Sequence, residues 1–311
     1  MPDILITPRS LSGSGHPALD RLTGAGFGLV MPTPGATPSE ADLLAAVPGC
    51  VGWLAGVEPV SEAVLAAARD LRVISRNGTG VDNLPLAAIR RRGIALCRAE
   101  GANARGVAEL ALSLALAGLR DIVPTHLGLQ QGGWPRRIGT EIHRAEIGVV
   151  GLGAIGADFA GFCLALGARV RGFDPFAPAD RVVHPGFLRA SLAETLAGAQ
   201  VVSLHAPMPE DGRPLLGSPE LAALAPGAVL VNTARAGLVD EASLLAALDS
   251  GQVAAYATDV FPTEPPRMTP LLRHARTITT THIGGFTRES VARSTECAVE
   301  ALLDVLVLHE T

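Results

Sequence analysis

The chain has 311 residues, 48% of them hydrophobic, and a net charge of −5, enough length and apolar content to bury the cores of two globular domains. All 25 basic residues are arginines, which excludes Schiff-base enzymes and the phosphate-binding loops that need a lysine. The arginines are dispersed along the sequence, and the longest run, Arg90 to Arg92, lies at the end of an apparent helix, where positive charge suits the helix dipole. The sequence therefore indicates no nucleic-acid partner.

The N-terminus, MPDILITP, has no basic region followed by an apolar stretch of signal-peptide length. The most apolar helical run, ALSLALAGL, is far shorter than the roughly 20 residues that span a bilayer. The four cysteines are far apart in sequence and form no C-x-x-C pair, which argues against a disulfide framework and against a zinc site. We therefore expect a soluble cytoplasmic protein with no metal and no membrane partner.

In chain order, short Val/Ile-rich runs alternate with Ala/Leu-rich helical segments. The first series of predicted strands is DILITP, FGLVMP, CVGWLAG, RVISRNG and IALCRA. A long helical stretch follows, from about Asn103 to Gln131. A second series then begins, with the strands EIGVVG, RVRGFD, VVSLHAP, AVLVNTA, VAAYATDV and TITTTH. This alternation predicts an α/β protein with two doubly wound parallel sheets, joined near residues 98 to 102.

A glycine pattern lies between the first strand of the second series and the helix that follows it. Gly151, Gly153 and Gly156 have G-x-G-x-x-G spacing, which allows a tight turn, close approach of a pyrophosphate and close packing of helix on strand. Asp174 ends the next strand, at the distance expected of an acid that binds the ribose hydroxyls. Because its charge would repel a 2′-phosphate, we predict NAD rather than NADP as the cofactor.

Three further polar patches follow strands of the second series, where open α/β sheets bind ligands. They contain Arg235 in VNTARAGLVDE, Asp259 and Glu264 in DVFPTEPP, and His282 in TTTHIGGFT. Each residue alone could be an ordinary surface or loop residue. Together they suit hydride transfer to a 2-oxo acid: arginine binds the carboxylate, histidine protonates the developing alkoxide, and Glu264 stabilises the charged histidine.

At these residues the chain resembles the D-isomer-specific 2-hydroxyacid dehydrogenase family, in its phosphoglycerate dehydrogenase-like branch. The likeness extends from RVISRNGTGVDNL through GVAELAL, GVVGLGAIG, VNTARAGLVDE and DVFPTEPP to THIGGFT. It implies a flavodoxin-like and a Rossmann domain with a cleft between them. It also implies a substrate domain of residues 1–98 plus 286–311, an NAD-binding domain of residues 99–285, and a homodimer built by the helix after residue 103.

The resemblance also assigns roles to individual residues. Arg235, Glu264 and His282 would be the catalytic residues. The cofactor would be bound by Gly151, Gly153, Ala154, Ile155, Gly156, Asp174, His205, Ala206, Pro207, Thr233, Ala234, Asp259, His282 and Gly284. The substrate would be bound by Arg235, His282 and the NGTG segment, which comprises Asn77, Gly78, Thr79 and Gly80. In that segment the glycines would let successive N–H groups form an anion-binding nest. Gly284 and Gly285 would let the chain turn away while His282 faces the substrate.

The substrate itself is less constrained. The loop after the third strand contains Leu54, Ala55 and Gly56. Phosphoglycerate enzymes of this family tend to have an arginine there. Because a phosphate would lack that positive charge, a non-phosphorylated 2-hydroxy acid is favoured as the substrate. The alternative is 3-phosphoglycerate, for which Arg136 could bind the distal anion. An alternative of another class is an NADH-sensing binding protein similar to the transcriptional corepressors related to this family.

Overall fold

The computed structural model describes residues 1–307, which form two compact units. Unit 1 comprises Met1–Asn103 and Gly285–Thr311, of which residues 308–311, also part of the predicted substrate domain, lie outside the described residues. Unit 2 comprises Ala104–Gly284. The domain boundaries predicted from the sequence lie at 98/99 and 285/286. Hydrogen bonds from Ala99 N to Gly78 O (3.1 Å) and from Arg293 Nε to Ala102 O (2.8 Å) tie the intervening segment to unit 1.

Unit 1 contains, among the described residues, a sheet of five parallel strands in the order β2-β1-β3-β4-β5. The strands are β1 (Asp3–Ile6), β2 (Gly28–Val30), β3 (Cys50–Ala55), β4 (Val73–Arg76) and β5 (Ala95–Arg98). The α-helices are Arg9–Ser12, Asp20–Gly24, Glu40–Ala46, Glu62–Ala67, Leu86–Arg91 and Arg288–Val307, and Pro17–Leu19 is a 3₁₀-helix. Serine caps begin two of them: Ser39 accepts a bond from Asp42 N and Ser61 one from Val64 N.

The helix Arg288–Val307 packs against the same sheet as the N-terminal part of the chain. Its Leu302 and Leu306 are buried with Ile4 and Leu54 in one apolar cluster. Gly52 makes this approach possible, because a Cβ there would lie 3.1 Å from Leu306 Cδ1. Each buried leucine contributes about 1.5–3 kcal/mol to the free energy of unfolding. This burial holds the end of the described chain on unit 1.

Unit 2 contains seven parallel strands within the described range, in the order β12-β11-β10-β9-β6-β7-β8. They are β6 (Glu146–Val150), β7 (Arg169–Phe173), β8 (Phe187–Arg189), β9 (Val201–Leu204), β10 (Ala228–Asn232), β11 (Val253–Thr258) and β12 (Thr277–Thr279). The α-helices are Ala104–Leu119, Ile122–Gln130, Ala154–Ala165, Leu192–Leu196, Ser218–Ala222, Glu241–Ser250 and Pro270–Arg273, and Ala236–Leu238 is a 3₁₀-helix. The predicted α/β class with two parallel sheets is confirmed.

Small residues let the helix Ala104–Leu119 lie close to the sheet of unit 2. Ala108, Ala111 and Ala115 are fully buried, and a Cβ at Gly118 would lie 2.6 Å from Val229 Cγ1. The long helical stretch predicted from Asn103 to Gln131 is interrupted after Leu119. Asp121 adopts a left-handed conformation (φ 50°), which ends one helix and precedes the next.

The strand β8 was not predicted. It has three residues, lies at the sheet edge and is nowhere fully buried, so it lacks the apolar run that marks the other strands.

Among residues 1–307 no helix combines the length and apolarity needed to cross a membrane.

Candidate active site

Three of the four predicted cofactor glycines, Gly151, Gly153 and Gly156, follow β6, and their structural surroundings differ. Gly151 has φ 92°, and a Cβ there would lie 2.6 Å from the carbonyl carbon of His205. Gly156 packs so closely that a Cβ would lie 1.9 Å from Gly151 O, whereas a Cβ at Gly153 would meet open space. Gly153 precedes the helix Ala154–Ala165, in whose first turn Ala154 and Ile155 lie. The loop therefore presents open backbone at the start of a helix, which suits a pyrophosphate.

Asp174 follows β7 and is bonded to the glycine loop. Its Oδ2 accepts from Leu152 N (2.8 Å), and its Oδ1 accepts from Phe176 N (2.8 Å) and Ala177 N (3.0 Å). Burial raises the pKa of Asp174, but these three N–H donors and nearby Arg189 outweigh it and leave the pKa below its usual value. The ionised form therefore contributes stability at neutral pH, which is lost only as the pH falls through this lowered pKa.

Of the other predicted cofactor residues, two have buried polar atoms that find no partner within residues 1–307. They are Thr233 Oγ1, just after β10, and His205 Nδ1, just after β9. The other ring nitrogen of His205 lies 2.9 Å from Ser203 Oγ, and burial lowers the pKa of His205 to about 3, so the imidazole is neutral. Ala206, Pro207 and Ala234 follow the same strands and are half-buried or exposed.

These features fit a bound dinucleotide. The open glycine loop suits a pyrophosphate, and the ionised carboxylate after the neighbouring strand suits a ribose. The Thr233 hydroxyl, which finds no partner among the described residues, is available to a further polar ligand atom. They lie at the carboxyl ends of β6, β7 and β10, and β6 and β9 flank the point at which the strand order reverses.

The side chains of His282 and Glu264 lie within hydrogen-bond distance of each other. The Nδ1 of His282 lies 2.7 Å from Oε1 and 2.8 Å from Oε2 of Glu264. With a proton on Nδ1, the imidazole donates to both carboxylate oxygens, and Nε2 is left to exchange a proton with another molecule. The imidazole is accessible, with 53% of the side chain exposed. A histidine held this way by a carboxylate can act as a general acid or base.

Asp259 holds the loop that carries His282. Only 2% of this residue is exposed. Its Oδ1 accepts hydrogen bonds from Thr280 Oγ1 (2.6 Å) and Ile283 N (2.8 Å). Its Oδ2 accepts a hydrogen bond from Gly284 N (2.7 Å). Three charge-assisted bonds thus fix the loop on both sides of His282. Asp259 was predicted to bind the cofactor. Its part in positioning His282 was missed, although Asp259 and Thr280 both directly follow adjacent strands.

Gly284 and Gly285, which were predicted to let the chain turn away after His282, lie in a turn. The residue with the left-handed conformation is His282 (φ 55°), and neither Gly284 nor Gly285 has a positive φ. Crowding is a second reason for glycine at both positions. A Cβ at Gly284 would lie 3.0 Å from Asp259 Oδ2, and one at Gly285 would lie 2.8 Å from Asn103 Nδ2.

Arg235 follows β10 in a turn that Asn232 organises. The buried Asn232 donates from Nδ2 to Arg235 O (2.9 Å), and its Oδ1 accepts from Ala234 N (3.1 Å). The half-buried Arg235 side chain donates from Nη1 to Ala234 O (2.7 Å). Asn232 was not singled out from the sequence, although an asparagine at a strand end typically forms such a turn.

The predicted carboxylate-binding turn, Asn77–Gly80, belongs to unit 1 and follows β4. Gly78 has φ 148°, which requires glycine, but its N–H already donates to Arg76 O (2.8 Å). Asn77 N is also engaged, by Ala55 O (2.9 Å). The turn is therefore closed by its own backbone at Asn77 and Gly78, and the predicted nest would have to use the N–H groups of Thr79 and Gly80.

Within residues 1–307, no three His, Cys, Asp or Glu side chains are grouped as metal ligands. The residues that the structure brings together in unit 2 are the glycine loop with Asp174, and Glu264 with Asp259 and His282. Their chemistry combines a dinucleotide site with a proton donor at the carboxyl ends of one parallel sheet.

Comparisons with known proteins agree with this description. Residues 112–284 match the family model described as D-isomer specific 2-hydroxyacid dehydrogenase, NAD binding domain. The chain is 39% identical over 260 residues to the D-3-phosphoglycerate dehydrogenase of Mycobacterium tuberculosis, an alignment that covers 83% of this chain and 49% of that protein. The chain thus spans about half the length of the curated relatives it matches.

Two solved structures are similar over almost the whole chain. The TT0316 protein from Thermus thermophilus has a TM-score of 0.86 and 35% identity, covering 98% of this chain and 97% of that one. A glyoxylate reductase from Paecilomyes thermophila has a TM-score of 0.84 and 25% identity, covering 98% and 95%. A D-2-hydroxyisocaproate dehydrogenase also has this fold, with a TM-score of 0.82, so proteins with different named substrates share it.

Proposed function

Because the chain belongs to the D-isomer specific 2-hydroxyacid dehydrogenase family, whose members are NAD-dependent oxidoreductases, we propose that it interconverts a D-2-hydroxy acid and its 2-oxo acid. The observation that carries the proposal is the His282–Glu264 pair, in which Nδ1 contacts both carboxylate oxygens at 2.7 and 2.8 Å. It lies in the same unit as the NAD-binding loop, so a proton donor and a hydride carrier are available to one reaction.

In this proposal NAD, when bound, supplies or accepts the hydride. In the reducing direction His282 Nε2 donates a proton to the carbonyl oxygen as it becomes an alkoxide. Glu264 stabilises the imidazolium before that transfer and keeps Nδ1 protonated throughout. Arg235 binds the substrate carboxylate and orients the oxo group, for which its planar guanidinium is suited.

The remaining predicted site residues enter the proposal with narrower roles. Gly151 to Gly156 bind the pyrophosphate, and Asp174 binds the adenosine ribose and selects NAD over NADP. Thr233 and the segment after β9 contact other parts of the cofactor. The turn Asn77–Gly80 is proposed to bind a carboxylate through its backbone N–H groups, those of Thr79 and Gly80 in particular.

The substrate is proposed to lack a phosphate, because the residues at the end of β3, from Leu54 to Gly56, bring no cation. A second candidate is 3-phosphoglycerate, which is favoured by the 39% identity to proteins named D-3-phosphoglycerate dehydrogenase.

We also propose that the protein is a homodimer. The segment from the helix Ile122–Gln130 to residue 138 exposes a group of large apolar side chains, including Trp134 at 79% exposure; monomers rarely leave such a patch uncovered. The group comprises Ile122, Leu127, Leu129, Trp134 and Ile138. Light scattering should give a dimeric mass, and Trp134→Ser should lower the mass or weaken the association.

A cytoplasmic location is proposed from the four free cysteines, two of which are buried.

The test of activity is NADH oxidation by the purified protein with a panel of 2-oxo acids, repeated with NADPH. The panel contains glyoxylate, pyruvate, hydroxypyruvate, branched and aromatic 2-oxo acids, and 3-phosphohydroxypyruvate. We expect turnover of at least one unphosphorylated acid with NADH. Absence of turnover on every acid, with NADH still bound, would contradict the proposal and favour an NADH-sensing binding protein, whose partner capture should then depend on NADH.

A further inference from the structure

The last residue of β10, Asn232, joins two neighbouring strand ends of unit 2. It is fully buried, and both polar atoms of its side chain are bonded to the turn that follows β10. Its Nδ2 donates to Arg235 O (2.9 Å), and its Oδ1 accepts from Ala234 N (3.1 Å). A side-chain amide can donate and accept at the same time, so asparagine suits this position.

The main-chain oxygen of Asn232 bonds to the end of the adjacent strand β11. It accepts from Asp259 N (3.1 Å), and Thr258 Oγ1 lies 3.2 Å from the same oxygen. Asp259 is the residue whose carboxylate holds the loop on both sides of His282. One chain of hydrogen bonds within unit 2 therefore connects the turn after β10 to the loop that carries His282.

The backbone of Arg235 is held on both sides. Its carbonyl oxygen accepts from Leu238 N (3.2 Å), at the 3₁₀-helix Ala236–Leu238, as well as from Asn232 Nδ2. Leu238 is fully buried in the core of unit 2, and its carbonyl oxygen accepts from Leu215 N (2.9 Å). The segment after Arg235 is thus anchored by the core, and the segment before it is anchored by the Asn232 side chain.

We propose that Asn232 is a positioning residue that fixes the distance between Arg235 and His282, so that one 2-oxo acid meets both groups at once. Arg235 binds the carboxylate and His282 protonates the oxo group, and these two groups of the substrate are on adjacent carbon atoms. A small displacement of either residue therefore breaks the match. Asn232 contacts no reacting atom and acts through the backbone of Arg235. This inference rests on the proposed dehydrogenase activity and adds a residue to it.

The first test is the steady-state kinetics of Asn232→Ala with NADH and the 2-oxo acid that the wild type prefers. The variant loses both side-chain bonds but keeps the main-chain bond to Asp259 N, so the Arg235 turn is released while the His282 loop stays held. We expect kcat to fall roughly ten-fold or more and kcat/KM about 100-fold, whereas NADH affinity changes less than about three-fold. A higher KM with unchanged kcat, or an equal loss of NADH affinity, would overturn the inference.

A double-mutant cycle separates positioning from a general structural role. Arg235→Ala removes the guanidinium that Asn232 is proposed to place, so Asn232→Ala added to Arg235→Ala should lower kcat/KM by less than about three-fold more. Losses that multiply in the double variant would show that Asn232 does not act through Arg235, which would contradict the proposal.

Gln252→Ala is the matched control. Gln252 directly precedes β11, at the end of this strand opposite to Asp259, and its Nε2 donates to Leu221 O (3.2 Å) and Leu224 O (3.0 Å). The substitution therefore also removes two bonds between a side-chain amide and the main chain of unit 2. It should leave kcat and kcat/KM within about two-fold of wild type. A loss as large as that of Asn232→Ala would mean that any loosening of this sheet impairs turnover, and the inference would fail.

Circular dichroism and NADH titration show whether each variant is folded. If Asn232→Ala does not fold, Asn232→Asp replaces it in the cycle, because a carboxylate keeps the volume and the acceptor for Ala234 N but cannot donate to Arg235 O. The same losses are expected, and a wild-type kcat in Asn232→Asp would refute the inference.

If the wild type turns over no 2-oxo acid, the proposed function fails, and calorimetric binding of oxamate in the presence of NADH tests the inference. Oxamate has a carboxylate next to a carbonyl group, as a 2-oxo acid does. Weaker oxamate binding by Asn232→Ala than by wild type, with no such difference in an Arg235→Ala background, supports the inference. Equal binding by wild type and Asn232→Ala, or no binding by either, overturns it.

Discussion

The two units each have a switch point in a parallel sheet, and they use it differently. In unit 2, β6 is followed by a glycine loop with open space at Gly153, and a buried hydroxyl at Thr233 finds no partner within residues 1–307. In unit 1, the ends of β1 and β3 are closed by Thr7, Trp53 and Glu58, which bond to one another and to Gly56. Both sheets have the same kind of crevice, but the groups at the strand ends leave it open in unit 2 and close it by hydrogen bonds in unit 1.

The largest effect is expected at the proton donor of unit 2. His282→Ala removes the general acid and should lower kcat about 10³-fold, while NADH affinity changes less than about three-fold. Steady-state kinetics and fluorescence titration of NADH measure the two quantities. His184→Asn is the control, because His184 is an exposed histidine of the same unit whose Nδ1 accepts from Gly186 N, a bond that asparagine can replace. Equal losses of turnover and NADH binding in His282→Ala would indicate a structural role.

The next largest effect tests how the His282 loop is held. Asp259→Asn places an amide where three donors converge, so it should lower kcat about 100-fold and the free energy of unfolding by about 1–3 kcal/mol. Kinetics and denaturant unfolding measure both. Asp211→Asn, at an exposed turn, should change neither. Normal turnover in Asp259→Asn would show that these bonds do not position His282.

A third substitution tests whether the closed switch point of unit 1 contributes to stability. Thr7→Val leaves Trp53 Nε1 and the carboxylate of Glu58 without their shared hydroxyl, and should lower the free energy of unfolding by about 2 kcal/mol. Urea denaturation followed by circular dichroism measures the change. Thr23→Val, at an exposed hydroxyl, should cost less than about 0.5 kcal/mol. Equal stability of the two variants would mean that the buried network is energetically neutral.

The smallest effect concerns cofactor choice in unit 2. Asp174→Asn removes the charge that disfavours a 2′-phosphate and disturbs the bond to Leu152 N, so NADH affinity should fall about ten-fold while NADPH affinity rises or stays constant. Fluorescence titrations with both nucleotides measure the ratio, with the exposed Asp180→Asn as the control. A parallel loss of both affinities would mean that Asp174 serves only to hold the glycine loop.

Much of the fold was predictable, because long apolar runs with turn residues between them specify strands and helices locally. The five strands of the first series and six of the seven strands in unit 2 follow such runs. The strand β8 did not, since three partly exposed residues at a sheet edge carry no such signal. The break at Asp121 was missed for a similar reason: one residue with φ 50° interrupts an otherwise continuous helical pattern.

The roles of Glu58 and Asp259 as organisers could not be read from neighbouring residues. Glu58 bonds to Thr7, which is 51 positions away, and Asp259 bonds to the backbone of Ile283 and Gly284, 24 and 25 positions away. Only the packing of parallel strands brings these groups to the same end of a sheet. The crowding that requires Gly284 and Gly285 has the same origin, since Asp259 and Asn103 approach them from distant parts of the chain.

The sequence by itself determined the α/β class, the glycine loop and the residue types needed for hydride transfer, because apolar periodicity and glycine spacing act over a few residues. Glu264 was already expected beside His282, whereas the tertiary structure decided which carboxylate holds the His282 loop and which one closes the ends of β1 and β3. Those choices depend on burial and charge coupling between strand ends, and these arise only when the sheets have formed.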